Sequence, residues 1–364
     1  VLIEARQLSR SFRSYARRTG VLGALRDLLR TSSGTERVAV DRLDLGIQPG
    51  EIVGFIGPNG AGKSTTIKML TGVLRPTGGQ LSVAGLVPFE DRQRHVRQIG
   101  VVYGQRTQLW WDLAVIEAFD LLAAIFQVER ATYRRRLERF DSVLGIGPLL
   151  RQPVRELSLG QRIRCDIAAA LIHGPPLLFL DEPTIGLDVA VKRRIRAFIG
   201  TINAEEGTTV LLTTHDLSDV EAVCPRVILI DGGRLLLDGP TAELKERLGG
   251  RRRLVVDLAR PALASTLRAL VAPLPVQAEL TEEGPVDRLV LRFRRADTSA
   301  SALIQIVSAA VEVADLAVEE PDIEEVVAGF YDAAEARAAE ARAAEARAAE
   351  ARAAAAPPEG AGPR

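Results

Sequence analysis

Nine residues constrain the fold of this chain more than any others: Gly57-Pro58-Asn59-Gly60-Ala61-Gly62-Lys63-Ser64-Thr65. They lie between a short β-rich run, "EIVGFIG", and a helical stretch, "GKSTTIKMLTG". A glycine, four residues, then Gly-Lys-Ser is the pattern of a phosphate-binding loop. Its glycines allow backbone angles that aim successive N–H groups inward at anionic oxygens. The helix opening near Gly62 adds the positive end of its dipole. Lys63 supplies a point charge for the β- and γ-phosphates of a nucleotide, Ser64 a hydroxyl for Mg²⁺, and Thr65 a further phosphate contact. The whole segment is the candidate ATP-binding loop, and a strand–loop–helix of this kind requires a parallel α/β sheet around it.

The rest of that sheet is legible as continuous apolar runs. "PPLLFLDEP" and "TTVLLTTHD" have the character of strands buried on both faces. Helical patterns are predicted at Val115–Gln127, Tyr133–Leu144 and Val191–Ile202, and "LIDGGRLLLDG" reads as a hairpin turning at Asp231, Gly232 and Gly233. A carboxylate at the carboxyl end of a buried parallel strand sits where such sheets bind ligands. Asp181 is therefore a candidate Mg²⁺ ligand, through water, and Glu182 a candidate to orient and polarise the attacking water. Helix capping by the acidic pair is the alternative. His215 ends the next strand, where a neutral imidazole would donate to the γ-phosphate or steady the water.

A second segment, Leu157-Ser158-Leu159-Gly160-Gln161, also looks like a phosphate-cradling turn that opens a helix, about a hundred residues downstream of the first. Two such turns, so far apart, raise the question of why one nucleotide site would need both. In order and spacing, the phosphate loop, "LSLGQ", "LLFLDEPTIGLD" and "TTH" resemble the ATPase subunit of ATP-binding cassette (ABC) transporters, over roughly residues 1 to 247. The resemblance implies two copies facing head to tail, each ATP held between the phosphate loop of one and the "LSLGQ" turn of the other. Ser158, Gly160 and Gln161 would then grip the γ-phosphate across the interface, and Asp188 would link the two sites. It implies further that Gln105 reaches Mg²⁺ and the attacking water and senses a membrane partner, and that Phe12 stacks on adenine. A strand-core role for Phe12 and a rival in Tyr15 remain open. Leu159 stands where the family usually has glycine.

Composition limits the alternatives. Lysine plus arginine and aspartate plus glutamate each number 47, so the formal charge is zero, which argues against a general nucleic-acid binder. Two cysteines imply no disulfide framework and suit a reducing compartment. The N-terminal residues carry no signal pattern, and no apolar run approaches the ~18 residues of a membrane span. A membrane role thus requires a separate permease, with this chain peripheral on the cytoplasmic face. "GPNGAGKSTTIKMLTGVLRPTGG", "GQRTQLWWDL" and a C-terminal domain ending "DIEEVVAGFY" look like the ATPases of two-protein exporters for drugs, lipids or polysaccharides. A soluble ribosome-associated ATPase would be expected to carry two cassettes, and a chromosome-type ATPase a long coiled coil between phosphate loop and signature. A regulatory module without hydrolysis is disfavoured by Glu182 and His215.

The predicted organisation is an α/β ABC ATPase domain over residues 1–247, a linker at "LGGRRR", a small α+β ferredoxin-like domain over 251–331, and an alanine-, glutamate- and arginine-rich tail over 332–364. The small domain reads as strand Leu254–Leu258, helix Pro261–Val271, strands Val276–Leu280 and Arg288–Phe293, helix Ala300–Val311, strand Glu312–Val318, and a closing helix Asp322–Tyr331. The tail's "EARAA" repeat advances ~500° per unit on a helix, so it builds no single apolar face. An insertion at 13–37 places Val21, Leu22, Leu25, Leu28 and Leu29 on one helical face, either packed on its own domain or docking a membrane subunit. Trp110 and Trp111 form either a helical-subdomain core or part of a permease groove.

Overall fold

The computed structural model describes residues 1–14, 35–104, 106–214, 216–242, 252–279, 285–294 and 297–319. Gln105, His215, Tyr15, most of the insertion, most of the linker, the closing helix and the tail lie outside them; Arg252 and Arg253, read as the end of the linker, are strand residues paired with Phe293 and Arg292. The chain divides into two compact units, Val1–Thr241 and Ala242–Arg364.

The first unit holds two sheets. Strands β1 (Ile3–Ser14), β2 (Thr35–Ile47), β3 (Ile52–Ile56), β4 (Gly78–Val83), β5 (Ile99–Tyr103), β6 (Leu177–Asp181), β7 (Thr209–Thr213), β8 (Arg226–Asp231) and β9 (Arg234–Pro240) alternate with helices. These are α1 (Lys63–Leu70), α2 (Arg92–Val96), α3 (Val115–Ile125), α4 (Arg130–Leu144), α5 (Leu159–Leu171), α6 (Val189–Glu206) and α7 (Leu217–Val223). The larger sheet has the order β5-β6-β7-β3-β8-β9, parallel as far as β8, with β9 antiparallel at its edge. Its central strands β3 and β7 are buried along their whole length and β6 as far as Leu180, as continuous apolar runs require when both faces are covered. The smaller sheet is antiparallel, in the order β2-β1-β4. Ile3, Leu8, Leu43 and Ile47 from it pack with Ile67 and Leu70 of α1 and with Phe55, Phe179 and Leu211 of the large sheet in one core. The phosphate loop and its helix are thereby anchored by both sheets.

The bounds of the insertion differ from the sequence expectation. The insertion is narrower than 13–37, because β1 and β2 stay paired as far as Ser14 opposite Thr35. Arg13, Glu36 and Arg37 are strand residues; their polar character conceals an antiparallel ladder whose backbone bonds do not depend on side-chain type. The β8–β9 hairpin turns as predicted, with Gly232 and Gly233 both at positive φ, 52° and 79°, as a two-residue turn matching strand twist demands.

In the second unit, β10 (Arg252–Leu263), β11 (Val276–Glu279), β12 (Pro285–Phe293) and β13 (Val313–Glu319) form an antiparallel sheet of order β11-β12-β10-β13, with α8 (Ala264–Val271) and α9 (Ala300–Ala310) between strands in the chain. The strand order is that of a ferredoxin-like sandwich. Leu254, Val256, Leu289, Leu291 and Phe293 meet Leu267, Leu303 and Val307 in its separate core. Helix α8 begins at Ala264, not at Pro261. The strand continues through Pro261 past a register break between Asp257 and Ala262, an interruption at which a proline is tolerated.

Candidate functional site

The phosphate loop is shaped by close approaches that only glycine permits. A side chain on Gly62, at φ 106°, would place its Cβ 2.5 Å from the Ala39 carbonyl, and one on Gly57 would stand 2.4 Å from the Ile230 carbonyl. The Gly233 N–H donates to the Ala61 carbonyl at 2.9 Å, so the β8–β9 turn holds the loop from behind. Helix α1 starts at Gly62 with no side-chain cap, which leaves its first N–H groups for an anion.

Lys63 is buried, and its Nζ donates to the carbonyls of Gly57 at 2.6 Å and Pro58 at 3.0 Å. Burial lowers its pKa, while the charges of Glu182 and Asp181 push it back up. A cation held over two loop carbonyls and opposite two carboxylates is positioned for a phosphate oxygen.

Folding brings Asp181 to Ser64 across 117 residues of sequence: Ser64 Oγ donates to its Oδ1 at 3.4 Å, and Thr213 Oγ1 donates to the same oxygen at 2.5 Å. A hydroxyl and a carboxylate oxygen so close together are the hard oxygen donors that suit Mg²⁺. Glu182 follows with φ 54°, a conformation that costs a residue other than glycine ~1–3 kcal/mol and is found mainly where function over-determines the backbone. Its N–H donates to the Thr213 carbonyl at 3.0 Å.

Lys63, Ser64 and Glu182 open on one cleft of about 380 Å³. Phe12, Asn59, Gly60, Gly62, Lys63, Ser64, Thr65 and Glu182 line it, together with Ala39 and Arg37. Arg37 was not legible as a cleft residue in the sequence; it pairs opposite Phe12 across the β1–β2 ladder. Phe12 is not a core residue. It is 40% exposed, with the Arg10 guanidinium 4.7 Å from its ring centre. Gly57, Pro58 and Ala61 stand behind the lining and contribute backbone carbonyls to Lys63 and Gly233.

The second predicted turn is built differently. Ser158, exposed, is the N-cap of α5, and its Oγ accepts from the Gln161 N–H at 3.3 Å while Gln161 Oε1 accepts from the Ser158 N–H at 2.8 Å. This reciprocal capping box was readable in the S-x-x-Q spacing. None of residues 157–161 lines the cleft. Leu159, where glycine is usual, reaches toward the turn after Glu182: a Cβ on Gly186 would lie 3.3 Å from its Cδ2. Asp188 caps α6, accepting from the Val191 N–H at 2.9 Å. Trp110 and Trp111 are 41% and 49% exposed, which overturns the core alternative for both; the Arg162 guanidinium lies 5.4 Å from the Trp111 ring.

Comparison with known proteins agrees with this architecture. The sequence profile of the family described as "ABC transporter" matches residues 40–185. The daunorubicin resistance ATP-binding protein DrrA3 of Streptomyces coeruleorubidus is 33% identical over 302 residues, 80% of this chain and 90% of that protein. The Nod factor export ATP-binding protein I of Cupriavidus pinatubonensis is 36% identical over 249 residues, 68% of this chain and 75% of that protein. Among solved structures, an ATP-binding subunit of an ABC transporter superposes with a TM-score of 0.57 at 26% identity, covering 68% of this chain and 94% of that one. The cbiO1 protein of Clostridium perfringens, part of the ABC transporter complex cbiONQ, gives 0.55 at 26% identity, covering 68% and 92%.

Proposed function

The chain belongs to the ATP-binding proteins of ABC transporters, and from that premise we propose that it is the ATP-hydrolysing subunit of an exporter, acting as a head-to-tail dimer on a separate membrane permease. Relatives bearing the names daunorubicin resistance and Nod factor export support the outward direction. No helix among the described residues is long and apolar enough to cross a membrane, which fits a peripheral position through the permease.

The observation that carries the reading is that Lys63, Ser64 and Glu182 share one cleft, with Asp181 bonded to Ser64, while Ser158 lies off it. In the proposed cycle, Phe12 stacks on adenine, the loop N–H groups and Lys63 hold the β- and γ-phosphates, and Glu182 accepts a proton from the water it orients. Ser64 and Asp181 are the residues here that would hold Mg²⁺, which when bound neutralises phosphate charge. Gln105 and His215, outside the described residues, keep their sequence-derived roles at the attacking water and the γ-phosphate. Ser158, Gly160 and Gln161 of a second copy, with Asp188 beside them, close the γ-phosphate side.

The test is Glu182→Gln in the full-length chain. Hydrolysis is expected to fall by ~10²–10⁴-fold, the range for loss of a general base, with ATP binding kept. Size-exclusion chromatography with saturating Mg-ATP should then reveal a stable dimer. A variant that stays monomeric with ATP and its permease present, or that hydrolyses ATP at the parent rate, overturns the reading.

A further inference from the structure

Glu182 holds a left-handed backbone conformation and has to be restrained on both sides to keep it. Upstream the restraint is visible: its N–H meets Thr213, and a Cβ on Gly104 would lie 1.9 Å from the Glu182 carbonyl oxygen, so the backbones of this turn and the β5 exit are in direct contact. Downstream come Pro183 and then Thr184, which is buried. The Thr184 hydroxyl donates to Oδ2 of Asp219, on α7.

Asp219 is 1% exposed, and both of its oxygens are committed. Oδ1 accepts from Arg196 Nε at 2.6 Å, with a second contact from the same guanidinium that completes an ion pair. Arg196 lies on α6, the helix that Asp188 caps, and its Nη2 also donates to Ser218 Oγ at 2.9 Å. A buried carboxylate whose partners come from two separate elements fixes the distance between them, because moving either one strands a charge or a hydroxyl away from water. Here one partner sits two residues after Glu182 and the other on the helix that begins at Asp188. The Leu187 N–H to Thr184 carbonyl bond, 3.3 Å, closes the loop between them.

We propose that Asp219 is a positioning residue for ATP hydrolysis: it clamps the Glu182–Thr184 turn to α6, and so sets where the Glu182 carboxylate and the Asp188 cap stand relative to each other. Asp219 is buried and does not line the cleft; it acts through Thr184 and Arg196. The neighbouring Lys192–Asp216 ion pair joins α6 to the N-cap of α7 without a bond to Thr184. The inference rests on Glu182 as the water-orienting carboxylate.

The experiment compares Thr184→Val, Thr184→Ser, Asp219→Asn and Glu182→Gln in the full-length chain. Steady-state ATPase would be measured alongside equilibrium binding of Mg-ATP and Mg-ADP. Thr184→Val conserves volume and keeps the Asp219–Arg196 pair, so it isolates the link to the turn should Asp219→Asn fail to fold. The expected result is a kcat lower by ~10-fold in Thr184→Val, within the cost of a small misplacement of a reacting group, with nucleotide affinity within twofold of the parent. Thr184→Ser, which restores the hydroxyl, should return kcat to near the parent value. Parent-level kcat in Thr184→Val overturns the proposal, and so does a parallel fall in kcat and nucleotide affinity, which would mark a merely structural contact. A fully active Glu182→Gln would instead refute the role of Glu182, a failure separable from that of the clamp.

Discussion

The two glycine-bearing turns, Gly57–Thr65 and Leu157–Gln161, look alike as strings but are opposite as structures. The first is completed by its own chain: a buried lysine, a hydroxyl and, from the end of β6 more than a hundred residues on, two adjacent acidic residues converge on it, and its helix N-terminus has no side-chain cap. The second exposes Ser158, satisfies its own helix terminus by a capping box, and lies off the cleft. A turn that caps itself is stable as an isolated surface. A turn without a cap leaves its first N–H groups open to an anion. The pairing of a ligand-ready turn with an outward-facing one is what a shared, two-chain nucleotide site requires of each copy.

The strongest way to break this comparison is to remove the charge on which the first turn depends. Lys63→Ala should lower ATP hydrolysis by ~10²–10³-fold, the scale for losing one preorganised transition-state donor. Nucleotide affinity should fall with it, as measured by equilibrium binding. An effect within twofold would mean the turn is not the phosphate site.

A sharper test separates the two turns between chains. Ser158→Gly deletes the hydroxyl but spares α5, since glycine at an N-cap costs only a few tenths of a kcal/mol. Lys63→Ala and Ser158→Gly proteins should each be nearly inactive, yet a one-to-one mixture should regain up to roughly a quarter of parent ATPase. Half the dimers would be mixed, and each mixed dimer would hold one site with both intact turns. No recovery on mixing would place both turns in the same site of the same chain.

The smallest effect concerns α5 alone. Asp166, on that helix, is buried; its Oδ1 accepts from Thr107 Oγ1 at 2.8 Å and from the Gln108 N–H at 3.1 Å, and its Oδ2 has no partner among the described residues. Burial raises its pKa to about 6, against the lowering pull of those bonds and of Arg162. The folded value exceeds the ordinary 3.8, so the folded state binds the extra proton. This group's stabilisation is complete below about pH 4 and is lost as pH rises through 6. Asp166→Asn should remove a slope of at most ~1.4 kcal/mol per pH unit between those limits, read from thermal unfolding at a series of pH values. Identical pH profiles for parent and variant would show that the helix carrying the outward turn is not tuned in this way.

Much of the site was legible before folding because its chemistry restricts residue type. A phosphate loop needs glycines at 60 and 62, where φ is 86° and 106°, and a buried parallel strand needs an unbroken apolar run. What escaped were features that depend on where side chains end up. Arg37 looked like one of several arginines beside an insertion, until the ladder placed it opposite Phe12 at the cleft. Trp110 and Trp111 fitted a core as well as a surface, because an indole buries or exposes itself according to what packs over it. Asp219 had no signal at all. Its partners are 35 and 23 residues upstream, and nothing local marks an acidic residue in the first turn of a short helix as buried.

By itself, the sequence determined the local geometry and the chemical inventory: the strand–loop–helix, the carboxylate pair, the order of motifs and the strand order's raw material in the second unit. These follow from periodicity, glycine conformations and charge, which act over a few residues. Tertiary structure alone decided convergence. It brought Ser64 to Asp181, turned Ser158 away from Lys63's cleft, and buried Asp219 between two elements. The reason is that distances between side chains remote in sequence are set by packed sheets and helices, and those distances appear only when the whole core closes.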